Sequence, residues 1–85
     1  MGKWEKVRDR VLSGSSDKNI RFDDLCGLLA RLGFHERVVG SHHVFKREGV
    51  PYRPNLQPRG SQAKPNQVAQ IREMLIDFGL DQEDL

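Results

Sequence analysis

Apolar residues recur along this chain in three helical stripes, with a run of short alternations between the second and the third. Trp4, Val7 and Val11 fall at helical spacing among charged residues, which predicts an amphipathic helix over Lys3 to Leu12. Ser13-Gly14-Ser15-Ser16 ends it and makes a flexible connection. After a briefly extended Ile20-Arg21-Phe22, Leu25, Leu28, Leu29 and Leu32 stand at i, i+3, i+4 and i+7, a core-facing stripe. Asp23 suits the N-cap or first turn of that helix. Gly33 suits its left-handed cap, with Phe34 as the apolar contact that follows.

The alternating stretch predicts three strands. Glu36 to Val39 is the first, Gly40-Ser41 the turn, and His42 to Arg47 the second. Glu48-Gly49 turns the chain again before a weaker third strand over Arg53 to Gln57. Pro54 and Pro58 lie in or beside that strand, and proline cannot donate to a ladder, so its place is at an edge. Arg59 to Lys64 reads as a loop leading to Pro65, which suits the first turn of a helix. Val68, Ile71, Leu75 and Phe78 mark that helix, Met74 flanks them, and Gly79-Leu80 closes it. The order α-α-β-β-β-α implies an α+β domain, a three-stranded antiparallel sheet packed by helices on one face. Three segments are expected: an N-terminal helix and linker over 1–16, the main domain over 17–80, and an acidic tail over 81–85 that frays.

Eighty-five residues make one domain, and 36% hydrophobic content limits it to a small core. No stretch approaches the roughly 20 apolar residues of a membrane span. The start Met1-Gly2-Lys3-Trp4-Glu5-Lys6 lacks a secretory apolar run, and Lys6 stands where acylation wants Ser or Thr. The cytoplasm is the expected compartment. Cys26 is the only cysteine, which excludes an internal disulfide and a Cys-rich zinc site; its apolar neighbours predict a packed thiol.

The net charge is only +2, but it is unevenly placed. Lys46 to Lys64 holds five basic residues and one acid, whereas Glu73 to the end holds five acids and no base. Such segregation fits a polyanion partner better than net charge alone does, although a basic segment is also commonly just a solvated face. Two histidines stand at the head of this segment. Alternation puts His42, Val44 and Lys46 on one face of the strand and His43, Phe45 and Arg47 on the other, and neither face is plainly the core side. Pointing apart, the two imidazoles cannot share one metal ion, so no metal or other cofactor is expected. His35 follows the end of a helix, where contact with the terminal carbonyls accounts for it.

Histidine exchanges protons near neutral pH, and arginine and lysine stabilise charge developing on phosphate oxygens. Metal-free RNA cleavage needs both, because a ribose 2′-hydroxyl must lose its proton and a leaving oxygen must gain one. His42, Lys46, Arg47 and Arg59 match by type, with Arg53, Lys64 and His43 as further RNA contacts. Gly40 lets a phosphate approach the backbone and Ser41 can donate to it, although the pair also reads as a plain hairpin turn. Acyl transfer through Ser41 lacks a nucleophile elbow, and Arg59 to Lys64 lacks the spacing of a nucleotide-binding loop.

Gly40-Ser41-His42, the apolar Val44-Phe45, the Asn55-Leu56-Gln57-Pro58 strand and the Lys64-Pro65…Gln67-Val68…Ile71-Arg72…Met74-Leu75 helix together resemble the HicA (YcfA-like) toxins. These are small mRNA interferases of type II toxin–antitoxin pairs, and the resemblance runs from about Phe22 to Leu80. It implies a fold like a double-stranded-RNA-binding domain and a metal-independent endoribonuclease that cleaves mRNA. It also implies that the histidine of Gly-Ser-His, here His42, is catalytic, and that His43 is a helper or packing residue. The partner it implies is a HicB-like antitoxin that covers the active face, the toxin being monomeric alone and hetero-oligomeric with it. A non-catalytic RNA-binding module and a domain with only protein partners are the alternatives.

Overall fold

The computed structural model describes residues 2–85. Helix α1, Lys3–Ser13, turns Val7 and Val11 inward, as their spacing predicts. A 3₁₀ turn at Asp17–Asn19 leads to α2, Phe22–Arg31, which buries Phe22, Leu25, Leu28 and Leu29. Arg21 occupies the N-cap of α2, so Asp23 serves as a first-turn acid facing the positive end of the helix dipole. The helix closes on Gly33, with φ of 89°. There the Gly33 N–H donates to the Ala30 carbonyl and the Phe34 N–H to the Leu29 carbonyl, each at 3.0 Å.

Strands β1, His35–Val39, and β2, His42–Lys46, form an antiparallel hairpin in which Val39 faces His42 and His35 faces Lys46. Strand β3, Asn55–Leu56, pairs with the other side of β2, so β2 is central in a three-stranded sheet. β3 is shorter than Arg53 to Gln57, because its flanking prolines carry no ladder donor; the buried Pro54 still accepts from Phe45 N–H at 2.8 Å. Phe45 and Leu56 pass into one core with α1, α2 and α3.

Where a loop was expected, β4, Pro58–Arg59, and β5, Gln62–Ala63, form a second hairpin. The extended Ile20–Phe22 segment braces it, since Ala63 N–H donates to the Ile20 carbonyl at 2.8 Å and Phe22 N–H to the Ser61 carbonyl at 3.0 Å. Strands of two residues are too short to show an alternation. Helix α3, Pro65–Asp77, buries Val68, Ile71, Met74 and Leu75. Met74 therefore belongs to the core stripe, whereas Phe78, predicted within it, sits at the C-cap and is 40% exposed. Among the described residues no helix is long and apolar enough to cross a membrane.

Both ends of the chain are held more closely than the pattern suggests. Helix α1 is part of the single core rather than a separate extension, and Trp4 lies on Gly27 of α2, where a Cβ would come within 2.2 Å of Trp4 Cη2. The acidic tail packs back against the domain. Leu80 is buried in a final 3₁₀ turn, Leu80–Gln82, and Arg47 grips the Glu83 carboxylate with two bonds of 2.8 Å. Arg8 donates to the Leu80 and Glu83 carbonyls, and Leu85 packs on the core. Arg72, in the body of α3, makes a similar clamp, bonding both oxygens of Asp17 at 3.0 and 3.1 Å and the Val11 carbonyl at 3.0 Å.

Two outcomes follow from these contacts. Gly27→Ala should gain about 1 kcal/mol of helix propensity yet lose roughly 1–3 kcal/mol to overpacking against Trp4. Urea unfolding should therefore report a net loss, and the fluorescence of this single tryptophan should shift to the red. At the other end, the Arg47 hydrogen bonds hold the Glu83 carboxyl below the usual glutamate range; desolvation opposes them, and attraction to Arg47 and Arg8 adds to them. A carboxyl depressed in the folded state stabilises at neutral pH, and that contribution disappears as pH falls from about 4.3 through the folded value. Wild type should lose stability in acid more steeply than Glu83→Gln, measured as urea midpoints against pH.

Candidate active site

The open face of the sheet follows from one burial. Phe45 has 0% exposure, so the alternate residues of β2, His42, Val44 and Lys46, turn away from the helices. The β1–β2 register adds His35, Arg37 and Val39 to that outer face, and Asn55 joins it opposite Val44. His35, Arg37, His42, Lys46 and Asn55 are all exposed. The hairpin turn has Gly40 at φ 60°, the positive value that a II′-type turn requires of its first central residue. Ser41 is the second, which places its hydroxyl next to His42.

His42 is held at both ring nitrogens. Nδ1 lies 2.9 Å from Asn55 Oδ1 and Nε2 lies 3.2 Å from Gln57 Nε2. The same Gln57 nitrogen donates to Ser41 Oγ at 3.1 Å, and Gln57 Oε1 accepts from Lys64 Nζ at 3.2 Å. The backbone N–H of Gln57 donates to Gln67 Oε1 at 3.0 Å, which ties the group to the first turns of α3. An ammonium group has donors only, so Lys64 requires the oxygen of the Gln57 amide to face it. The amide nitrogen must then face Ser41 and His42. His42 Nε2 receives that donor through its lone pair, and Nδ1 carries the proton given to Asn55. The cation at Lys64 thus sets the tautomer of an imidazole it does not touch.

The structure separates the basic residues proposed as RNA contacts. Lys46 and Arg53 border one shallow depression of about 420 Å³ beside the 46–53 turn. Arg59 is exposed on the β4–β5 hairpin, a different ladder from that of His42. Lys64 reaches the His42 group through Gln57. Arg47 is committed elsewhere, with Glu83 and the Leu32 carbonyl as partners, and its hydrogen bonds to Glu83 raise its pKa, while desolvation opposes them and the Glu83 charge adds to them. It is therefore a structural clamp rather than an available phosphate ligand. It also takes the role at the end of α2 that the sequence suggests for His35, whose side chain makes no hydrogen bond among the described residues.

His43 is on the inner face. Its Nδ1 is 2.6 Å from Glu36 Oε2, and its ring meets Phe22 edge-on at 4.8 Å, so it packs instead of facing solvent. Burial pushes the Cys26 thiol up to about 12, with Glu36 and Asp23 adding to the effect, which leaves no thiolate for nucleophilic work.

Three members of the site had no assigned role in the sequence. Asn55 and Gln57 are visible only as part of a strand, and their convergence on His42 depends on β3 lying against β2. Arg37 was within reach: a two-residue turn pairs Val39 with His42, and alternation then puts Arg37 on the same face. Together the group offers an oriented proton acceptor, two neutral donors at Ser41 and Gln57, and uncommitted cations at Arg37 and Lys46. Comparison with protein-family models, with curated proteins and with solved structures finds no match for the chain.

The hydrogen-bond order fixes an outcome for the free protein. Long-range nitrogen–proton spectra of neutral His42 should show the Nδ1–H tautomer. Lys64→Met, which keeps the stem and removes the donor, should shift the population toward Nε2–H. An unchanged tautomer in that variant would break the link from Lys64 to His42.

Proposed function

We propose that this protein is a metal-independent endoribonuclease that cleaves mRNA, the toxin of a type II toxin–antitoxin pair related to HicA. The observation that carries the proposal is the exposed His42 ring, oriented through both nitrogens on a cationic sheet face. The α+β arrangement is compatible with a double-stranded-RNA-binding-domain-like fold, which we propose on the resemblance of its motifs. Because a fold of that kind does not dictate duplex substrates, a single strand laid across the open face serves equally well.

In the proposed reaction an RNA 2′-hydroxyl displaces the Gln57 amide from His42 Nε2. The lone pair there accepts the hydroxyl proton while the 2′-oxygen attacks the adjacent phosphorus. A bond forms between that oxygen and phosphorus, and the bond to the 5′-oxygen breaks. The departing oxygen takes a proton from the imidazolium, which leaves a 2′,3′-cyclic phosphate and a 5′-hydroxyl. Asn55 keeps the ring aligned throughout and stabilises its positive charge by accepting from Nδ1. Ser41 Oγ and the released Gln57 amide are donors for the phosphorane oxygens, and Arg37 and Lys46 offset their charge. No step requires a metal.

A HicB-like antitoxin is the proposed partner, covering this face so that the monomeric toxin becomes an inactive hetero-oligomer. Complementary acidic or hydrogen-bonding groups would silence such a surface. Translated mRNA as substrate places the reaction in the cytoplasm.

Purified protein in chelator should cut single-stranded mRNA to cyclic-phosphate ends, and His42→Ala should slow the cut by about 10²–10⁴-fold. RNA binding should survive that change. Lys46→Ala should instead weaken binding and lower its salt slope by roughly 1. Equal cleavage by wild type and His42→Ala would end the proposal. Salt-sensitive binding without any wild-type cleavage would make the protein an RNA-binding module.

A further inference from the structure

We propose that Cys26, Glu36 and His43 form a binding site for one divalent cation of the zinc class. The three side chains come from α2, β1 and β2, and their ligating atoms (a sulfur, a carboxylate oxygen and a ring nitrogen) all lie within 4.8 Å of one another. They meet on the helix-covered face of the sheet, away from His42. The site takes no part in the cleavage proposed above and does not depend on it.

The donor set selects the ion. The Cys26 thiol, protonated without metal, gives its proton to solvent as the ion binds. The set is then one thiolate, one imidazole and one carboxylate, ligand types that zinc accepts, with a water completing a tetrahedron. Calcium and magnesium require oxygen ligands throughout, so a sulfur and a ring nitrogen turn them away. With metal–ligand bonds of about 2.0–2.3 Å, tetrahedral ligand atoms stand roughly 3.5 Å apart. The widest separation must close by about 1 Å, and the 2.6 Å contact between His43 and Glu36 must open by a similar amount. Glu36 can open its contact with His43, because its side chain is 37% exposed on an edge strand. Cys26 and His43 are half-buried, the first on a packed helix and the second against Phe22.

The Glu36–His43 contact by itself needs no sulfur beside it, so the thiol is the distinguishing feature of the site. A bound ion joins α2 to the β1–β2 hairpin, and an ion that binds only the folded state raises its stability.

Cobalt titration of the reduced protein, followed by zinc displacement, tests the site directly. The expected result is one ion per chain, with a sulfur-to-cobalt charge-transfer band and d–d bands of tetrahedral intensity, all lost on adding zinc. Cys26→Ser should abolish the charge-transfer band and weaken zinc binding by at least about 100-fold, since loss of even an outer-shell partner costs 10–100-fold. Glu36→Gln, at an exposed position that leaves the core untouched, should also weaken zinc binding. His42→Ala should keep the band, which separates this site from the surface histidines. Zinc should raise the melting temperature of wild type and leave that of Cys26→Ser unmoved. Absence of saturable binding, cobalt bound without a thiolate band, or zinc affinity equal in wild type and both ligand variants would overturn the proposal.

Discussion

Phe45 lies beneath the central strand with no surface left to solvent, and side chains alternate along a strand. Its burial consequently assigns every residue of the three-stranded sheet to a face. A slip of one residue in β2 would carry His43 and Arg47 outward and take His42 into the core. The aromatic ring, fully desolvated, is worth on the order of 1.5–3 kcal/mol, enough to hold the register against the weaker preferences of its polar neighbours. The position of His42 on the open face depends on that one side chain.

The group around His42 is built for direction rather than for strength. Each of its hydrogen bonds lies near the surface, where a net contribution of about 0.5–1.5 kcal/mol is normal, so the group adds little to folding. What it contributes is order. Lys64 can only donate, Gln57 has one acceptor and one donor end, and His42 is left with a single consistent protonation pattern. A surface imidazole that would otherwise sample both tautomers is thereby aligned for proton acceptance at Nε2. This polarity originates at the N-terminus of α3, which makes the helix a support for the His42 group as well as a wall of the core.

The basic residues that look alike along the chain have divided roles. Arg47 and Arg72 are clamps, each closing a bidentate pair between segments distant in sequence, Arg47 with Glu83 and Arg72 with Asp17. Bidentate geometry is what a planar guanidinium provides and an ammonium does not. Arg37, Lys46, Arg53 and Arg59 make no ion pair among the described residues and remain available to an anion. Of the acids in the tail, Glu83 supplies the counter-charge for Arg47.

The amino-acid pattern alone determined the three helices, the β1–β2 hairpin and its turn, because periodicity of 3.6 or 2 and the left-handed glycines Gly33, Gly40 and Gly79 are local properties. Motif resemblance singled out His42 where alternation left two histidines level. Tertiary structure decided the rest. It chose the face of β2 through Phe45, drew Asn55 and Gln57 onto His42, and brought Cys26 beside Glu36 and His43. It removed Arg47 from the open cations, and it folded Pro58 to Ala63 into a hairpin against Ile20–Phe22. Each of these depends on groups far apart in sequence meeting across a ladder or a core, and no local periodicity encodes such a meeting.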